Sequence, residues 1–268
     1  MDGQTFDSNG VRVCYYEAGE GRPVILLHGF SSTAHSAWID EGLVDELAKS
    51  HRVLAMDGRG HGGSDKPHDA ALMGPEAAKD TARLMDHLGL KQAHVVGYSH
   101  GAHLAAYLAT VAGDRFKSLT LGGACGYWHW TDADSARTEA EAVELDAGSQ
   151  ASLILRLWPT DQPKPGEKEV ARLSRMRLAG SDHHALAASR RGTLRITFKP
   201  EQLADTTMPV LGAVGTVDPY LKDFERLREI MPRMKLVTID GASHGEARSR
   251  PEFMAAVKTF LAEVDAGK

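Results

Sequence analysis

The sequence predicts an α/β protein built on one mostly parallel, eight-stranded sheet with helices on both faces. Short apolar runs alternate with amphipathic helical segments through most of the chain. Apolar strands that alternate with helices imply parallel crossovers, and such a sheet is buried on both faces. Near the start, Asn9 and Gly10 separate two strand-like runs, which predicts an antiparallel hairpin at one edge of the sheet.

The individual elements follow from the same alternation. Gly89 is placed to end the second helix. The predicted strands are 4–7, 11–16, 24–28, 52–56, 94–96, 118–121, 209–214 and 235–239. The predicted helices between them and after them are 38–50, 76–88, 101–112, 221–230 and 251–264.

The alternation stops between residues 125 and 205. This stretch contains helical patches at 139–145, 151–157 and 170–178 but no apolar strand followed by a helix. Ligands of open α/β sheets bind at the carboxyl ends of the strands, so an insertion after the sixth strand would cover the site as a small helical lid. We therefore predict a core of residues 1–124 and 206–268 and a lid of residues 125–205. The alternative is a surface elaboration without a role.

The composition indicates an ordinary globular protein that acts on a small molecule. The chain has 268 residues, 42% of them hydrophobic and 25% charged, with a net charge of −5. These values exclude a disordered chain, and the acidity argues against a nucleic-acid partner. Two cysteines make no disulfide framework, and no apolar run could span a membrane.

The first residues favour a cytoplasmic location, because they lack the basic and apolar regions of a signal peptide. A signal peptide that had already been removed would leave no trace here. The oligomeric state is left open.

A nucleophile is predicted after the strand at 94–96. Residues 97–101 read Gly-Tyr-Ser-His-Gly and precede a predicted helix, the context in which G-x-S-x-G forms a nucleophile elbow. Such a turn holds Ser99 in a strained conformation that exposes its hydroxyl, and the flanking glycines avoid collisions with the strand and the helix. An ordinary loop is the alternative for this short pattern taken alone.

A serine hydroxyl needs a base, and the base needs a group that orients it. Asp218 follows the strand at 209–214 and His244 follows the strand at 235–239, in the order Ser, Asp, His. All three residues stand just past the carboxyl ends of strands, so we expect them to meet at one edge of the sheet. The backbone N–H groups of Phe30 and His100 are the predicted oxyanion hole.

Taken together, these motifs resemble the α/β-hydrolase superfamily over nearly the whole chain. Residues 28–30 (His-Gly-Phe) are similar to its oxyanion loop, residues 57–65 to its D-x-R-G-x-G-x-S loop, and residues 97–101 match its elbow. Asp218 and His244 stand where the family places acid and base. The resemblance implies the α/β-hydrolase fold and a structural role, without catalysis, for the loop at 57–65.

His100 departs from the family, which often has an apolar residue after the nucleophile. Its N–H still serves the oxyanion hole, and its imidazole is expected to line the pocket or to bond to neighbours. We do not expect it to replace His244, because the elbow directs neighbouring side chains away from the serine hydroxyl. His28 is expected to shape its loop by hydrogen bonding.

The leading functional prediction is a serine hydrolase that cleaves carboxylic esters of small to medium size through an acyl-enzyme. A lactonase, a thioesterase, a carbon–carbon bond hydrolase or a cofactor-free perhydrolase would use the same triad. A non-catalytic module that binds a small ligand is the alternative from another class. Haloalkane dehalogenases and epoxide hydrolases are excluded, because they carry aspartate where this chain has Ser99.

The predicted insertion also supplies candidates for the substrate pocket. Trp128, Trp130, Leu157 and Trp158 are candidates for an apolar pocket under the lid, or for the core of the insertion itself. No cofactor is expected. No metal is expected either, because neither H-E-x-x-H nor C-x-x-C accompanies the histidines.

Overall fold

The computed structural model describes residues 1–126 and 131–267. Its strands are β1 (Gln4–Asp7), β2 (Arg12–Ala18), β3 (Arg22–Leu27), β4 (His51–Met56), β5 (Ala93–Tyr98), β6 (Phe116–Gly122), β7 (Val210–Gly215) and β8 (Lys235–Ile239). They form one sheet in the order β1-β2-β4-β3-β5-β6-β7-β8. The pairings β1–β2 and β2–β4 are antiparallel and all others are parallel, which confirms the predicted fold class.

The first two strands form the predicted hairpin at the edge of the sheet. Asn9 and Gly10 have φ angles of 58° and 82°, the left-handed conformation that a tight hairpin turn with normal strand twist requires. The Ser8 N–H closes the turn by donating to the Val11 carbonyl at 2.8 Å.

Helices cover both faces of the sheet. They are α1 (Leu43–Ala48), α2 (Pro75–His87), α3 (His100–Ala112), α4 (Asp132–Asp146), α5 (Ala151–Arg156), α6 (Glu167–Leu178), α7 (His183–Gly192), α8 (Pro200–Ala204), α9 (Leu221–Ile230) and α10 (Pro251–Asp265). Apolar side chains of α2, α3 and α9 pack on one face of the sheet. Those of α1 and α10 pack on the other face, so the parallel strands are buried on both sides as predicted.

The single helix predicted over residues 38–50 is wrong in its extent. The structure has a π-helical turn at His35–Ile39 and then the separate helix α1. Gly42 lies between them with a φ of 78°, a left-handed conformation that interrupts a right-handed helix. Trp38 is nevertheless fully buried and stacks near Phe253 of α10, with ring centroids 6.5 Å apart.

Helices α4 to α8 lie between β6 and β7, where the helical insertion is predicted. The predicted patches correspond to α4, α5 and α6, whereas α7 and α8 have no predicted counterpart. Helices α4, α6 and α7 share a small apolar cluster of their own, formed by Ala142, Leu145, Leu178, Leu186 and Ala187. Phe30 of the core packs against this cluster. The insertion therefore rests directly on the predicted oxyanion loop.

Among the described residues, no helix combines the length and the apolarity needed to cross a membrane.

Candidate active site

Three of the predicted site residues meet at the carboxyl edge of the sheet. Ser99 follows β5, Asp218 follows β7 and His244 follows β8. Strands β5, β6, β7 and β8 are consecutive parallel neighbours, so their carboxyl ends point the same way and bring the three loops together.

Ser99 occupies a strained turn between β5 and α3. Its φ of 53° and ψ of −113° fall outside the regions that non-glycine residues normally adopt. A Cβ at Gly97 would lie 2.6 Å from the Gly101 carbonyl oxygen, and a Cβ at Gly101 would lie 2.2 Å from the Leu27 carbonyl oxygen. The flanking positions must therefore be glycine, which is the steric reason for the G-x-S-x-G pattern.

His244 lies between Ser99 and Asp218. Its Nε2 is 2.9 Å from Ser99 Oγ, and its Nδ1 is 2.9 Å from Asp218 Oδ2. The Tyr220 N–H donates to Asp218 Oδ1 at 2.9 Å. Asp218 is 2% exposed and His244 is 7% exposed, so water competes little for these bonds. The partner of His244 Nδ1 is a carboxylate oxygen, which favours the tautomer that leaves Nε2 free to accept the Ser99 proton.

The loops that carry Asp218 and His244 are held by further hydrogen bonds. The Tyr98 hydroxyl donates to the His244 carbonyl oxygen at 2.6 Å. On the other side, the Thr160 N–H donates to the Val217 carbonyl oxygen at 3.0 Å, and the Arg156 guanidinium donates to the Tyr220 hydroxyl. The helical insertion is thus attached to the loop that positions Asp218.

The predicted oxyanion loop lies directly beside the serine. A Cβ at Gly29 would lie 3.4 Å from Ser99 Cβ, which shows how closely the loop approaches the elbow. Phe30 and His100 both line the cavity that contains Ser99. Within the described residues, the Phe30 N–H donates to no protein acceptor, so it is available to a ligand.

The other histidines near the elbow, His61, His100 and His103, are buried. Burial lowers the pKa values of His61 and His100 to about 3 and lowers that of His103 well below its usual value. These rings are therefore neutral at physiological pH. His100 Nε2 points to Ser189 Oγ of α7 at 3.5 Å, as expected for a pocket-lining side chain.

His28 shapes its loop by hydrogen bonding, as expected from the sequence. Its Nε2 accepts the Gly58 N–H at 3.0 Å, which places the ring proton on Nδ1 for donation to the Gly29 carbonyl oxygen at 2.7 Å.

The charged residues of the loop at 57–65 are used within the fold. Asp57 accepts the N–H groups of Ala34 at 2.7 Å and Gly63 at 2.8 Å. Arg59 is buried and forms a two-pronged ion pair with Asp80 of α2. Both charged groups are satisfied by neighbouring protein atoms, which agrees with a structural role for this loop.

A cavity of about 340 Å³ opens above Ser99 and His244. Leu157, one of the candidates for the substrate pocket, lines it. Trp158 is half-buried beside it and is not a lining residue. Trp128 and Trp130 lie outside the described residues.

Sequence reasoning missed most of the residues that form the cavity wall. The missed lining residues with polar or charged side chains include His103, Gln150, Arg156, Arg177, Arg190, Tyr220 and Arg248. An arginine repeated on the inner side of successive helices is the signal that could have indicated them.

One cluster of potential metal ligands exists in the described part of the chain, away from the cavity. His51 and His94 direct their Nε2 atoms at Asp265, each at 3.2 Å. They stand at the amino ends of β4 and β5, opposite Ser99. The guanidinium of Arg22 also bonds the Asp265 carboxylate. Because a cation already holds this carboxylate, the cluster is suited to joining α10 to the sheet.

A serine elbow lies on a sheet of this topology, and a histidine and an aspartate stand within hydrogen-bonding reach. These features define the class of α/β hydrolases. The sequence profile of the alpha/beta hydrolase fold matches residues 22–245, so the chain belongs to this family.

Known relatives agree with this assignment. The chain is 29% identical to 3-oxoadipate enol-lactonase 1 of Acinetobacter baylyi, over 87% of this chain and 86% of that protein. Two solved structures share the fold. One is a thermophilic esterase from Thermogutta terrifontis with malate bound, with a TM-score of 0.80, 24% identity and coverage of 98% and 99% of the two chains. The other is the enol-lactonase from Burkholderia xenovorans LB400, with a TM-score of 0.75, 21% identity and coverage of 97% and 100%.

Proposed function

We propose that this hydrolase cleaves carboxylic esters through a covalent acyl-enzyme on Ser99. The observation that carries the proposal is the pair of 2.9 Å contacts of His244, one to Ser99 Oγ and one to Asp218 Oδ2. This geometry is that of a nucleophile, its base and the group that orients the base.

The reaction proceeds in two halves. Ser99 Oγ attacks the ester carbonyl while His244 Nε2 takes its proton, and the resulting imidazolium is stabilised by the buried Asp218 carboxylate. The N–H groups of Phe30 and His100 stabilise the oxyanion, each contributing about 2.7–4 kcal/mol when preorganised. The imidazolium then protonates the leaving alcohol. Water, deprotonated by His244, releases the acid and restores Ser99.

The helical insertion is proposed to act as the lid of this site. The helices between β6 and β7 contribute to the cavity wall, including Gln150, Leu153 and Leu157, and Phe30 packs on their apolar cluster. A cavity of about 340 Å³ matches the lower end of small-molecule sites and supports a small to medium substrate.

Lactone hydrolysis is the second candidate, because a lactone is a cyclic ester that the same groups would open. The observation that favours it is the similarity to 3-oxoadipate enol-lactonase 1 over 87% of the chain. Ring opening leaves the alcohol and the acid in one product and requires no additional residue.

The proposal is tested by Ser99→Ala, assayed with 4-nitrophenyl butyrate and with a fluorophosphonate probe. We expect kcat to fall by about 10⁴-fold or more and labelling to disappear. Ser135→Ala in α4, which does not line the cavity, is the matched control and should behave as wild type. Turnover that survives in Ser99→Ala would overturn the assignment of the nucleophile. Comparing initial rates on the open-chain ester and on a five- or six-membered lactone separates the two candidates.

A further inference from the structure

The wall of the cavity above Ser99 is strongly cationic. Among the described residues that line it, there is no aspartate or glutamate. The arginines that line it are Arg156, Arg177, Arg190 and Arg248. The chain as a whole has a net charge of −5, so this excess of positive charge is a local property of the cavity.

Two of these arginines share a single buried carboxylate. The Glu141 side chain accepts from Arg156 Nε at 2.9 Å and from Arg190 Nε at 2.6 Å. The Glu141 trio, which consists of Glu141, Arg156 and Arg190, therefore has one negative and two positive charges, a net charge of +1. Arg248 Nη1 lies 3.7 Å from Glu41 Oε1 and also donates to the Ala37 carbonyl oxygen.

Arg177 differs from the other three. It stands at the end of α6, and its side chain has no ion pair and no hydrogen bond with any other described residue. It is open to solvent, yet the surrounding protein lowers the pKa of its guanidinium by desolvation. The group remains cationic at physiological pH, and its five N–H donors lack protein acceptors within the described structure.

A guanidinium with free donors in a cavity is a fitting partner for a carboxylate. Its planar fork matches the two oxygens of a carboxylate, and the pair of charge-assisted hydrogen bonds fixes orientation as well as affinity. The net charge of the Glu141 trio adds a favourable field for an anion in the same space.

We propose that Arg177 binds a carboxylate of the substrate, so that the substrate is an ester or lactone with a second, ionised acid group. The proposal deepens the proposed esterase function and rests on it. Anchoring the carboxylate at Arg177 holds the rest of the molecule in the cavity, where its ester carbonyl reaches Ser99. The alternative is a solvated arginine that acts on charged and neutral substrates alike.

The test compares esters that differ only in this charge. One set consists of 4-nitrophenyl monoesters of glutaric, adipic and pimelic acid, each against its methyl ester, with spontaneous hydrolysis subtracted. A second set places the charge on the leaving group, with 4-(butyryloxy)benzoic acid against its methyl ester. We expect the wild type to prefer the acid in at least one set. Arg177→Gln should lower this preference in kcat/KM by about tenfold to a hundredfold, as for the loss of hydrogen bonds to a charged group.

Controls separate this effect from a general loss of charge or of structure. Arg175→Gln removes an exposed arginine of the same helix that does not line the cavity, and should keep the wild-type ratio. Arg177→Lys retains the charge but not the planar fork, so its preference for the acid should lie between those of the wild type and Arg177→Gln. If Arg177→Gln melts at a lower temperature than the wild type, the test rests on Arg177→Lys. Its ratio of kcat/KM for the acid to kcat/KM for the methyl ester should then fall below the wild-type ratio. A wild type without preference in either set, or a ratio that Arg177→Gln leaves unchanged, overturns the proposal.

Failure of the proposed function gives a different result. A protein that hydrolyses neither member of any pair and resists the fluorophosphonate is not the proposed esterase. Calorimetric titration with adipate then tests Arg177 directly. Binding that Arg177→Gln weakens at least tenfold supports the anion site, and absence of binding to the wild type overturns it.

Discussion

Replacement of Asp218 by asparagine should switch off the base without disturbing the fold. One Asp218 oxygen accepts the Tyr220 N–H at 2.9 Å and the other faces His244 Nδ1 at 2.9 Å. In Asp218→Asn the amide oxygen must face the Tyr220 N–H, because the amide nitrogen has no lone pair to accept it. The NH₂ group then donates to His244 Nδ1. The ring proton moves to Nε2, which can no longer accept the proton of Ser99.

The expected loss is large because the wrong tautomer blocks the reaction itself. A change of this kind lowers kcat by about 10⁴-fold, or roughly 5.4 kcal/mol of barrier at 1.36 kcal/mol per factor of ten. KM should change little, since Asp218 is buried behind the imidazole and does not line the cavity. The assay is initial-rate kinetics on 4-nitrophenyl butyrate, with the rate of fluorophosphonate labelling as a second readout.

The control is Asp45→Asn, which removes an exposed carboxylate of α1 and should retain wild-type kinetics. Thermal unfolding establishes that Asp218→Asn is folded. A folded Asp218→Asn protein with kcat within about tenfold of the wild type would refute the view that this carboxylate sets the tautomer.

Three further predictions concern stability. Gly101→Ala should destabilise the protein by about 1–3 kcal/mol, because the new Cβ would lie 2.2 Å from the Leu27 carbonyl oxygen. Asp80→Ala should cost about 3–5 kcal/mol, since it leaves the buried Arg59 without its counter-charge. Hydrogen bonds from Lys79 and Arg83 lower the pKa of Glu76 from 4.5 to about 2. Because this folded-state pKa is below the unfolded value, the carboxylate stabilises the fold above pH 4.5, and the benefit is lost as the pH falls towards 2. The difference in melting temperature between wild type and Glu76→Gln should therefore shrink from about pH 6 to about pH 3.

Each of these predictions has a contrary result. Gly166→Ala is the control for the elbow glycine, since no atom lies within 4 Å of the added Cβ. Chemical denaturation that places Gly101→Ala within about 0.5 kcal/mol of this control would contradict the steric argument. An Asp80→Ala protein with the same free energy of unfolding as the wild type would show that water reaches Arg59. If the difference in melting temperature between wild type and Glu76→Gln does not change with pH, the effect of Glu76 comes from packing and not from charge.

The sheet and the meeting of its loops are predictable because they depend on strong, local signals. Buried strands show as apolar runs, and a parallel sheet brings every carboxyl end to one edge. A G-x-S-x-G pattern after such a strand therefore locates Ser99 in space as well as in sequence. The two later loops follow by the same rule, so the amino-acid sequence alone is enough to bring Asp218 and His244 to the same edge of the sheet as Ser99.

The cavity wall is harder to predict because it depends on how helices pack. Arg177 and Arg175 are two positions apart on α6 and look alike as exposed cations in the sequence. Only the tertiary structure shows that one of them lines the cavity. Helix α7, which carries Arg190, escapes prediction because its buried face consists mostly of alanines around one large apolar residue, Leu186. Similarly, the break at Gly42 follows from one backbone angle that periodicity does not report.

The attachment of the helical insertion to the Asp218 loop limits how this hydrolase can be recombined. Exchanging residues 125–205 for the same stretch of a relative is an obvious way to build a chimaera with altered selectivity. The graft would also remove the Arg156 contact to Tyr220 and the Thr160 N–H bond to Val217. A donor segment that lacks a guanidinium at position 156, or a matching backbone path at 160, would release the turn next to Asp218. Chimaeras should therefore be sorted first by whether they keep these two attachments, and only then by the shape of the new cavity.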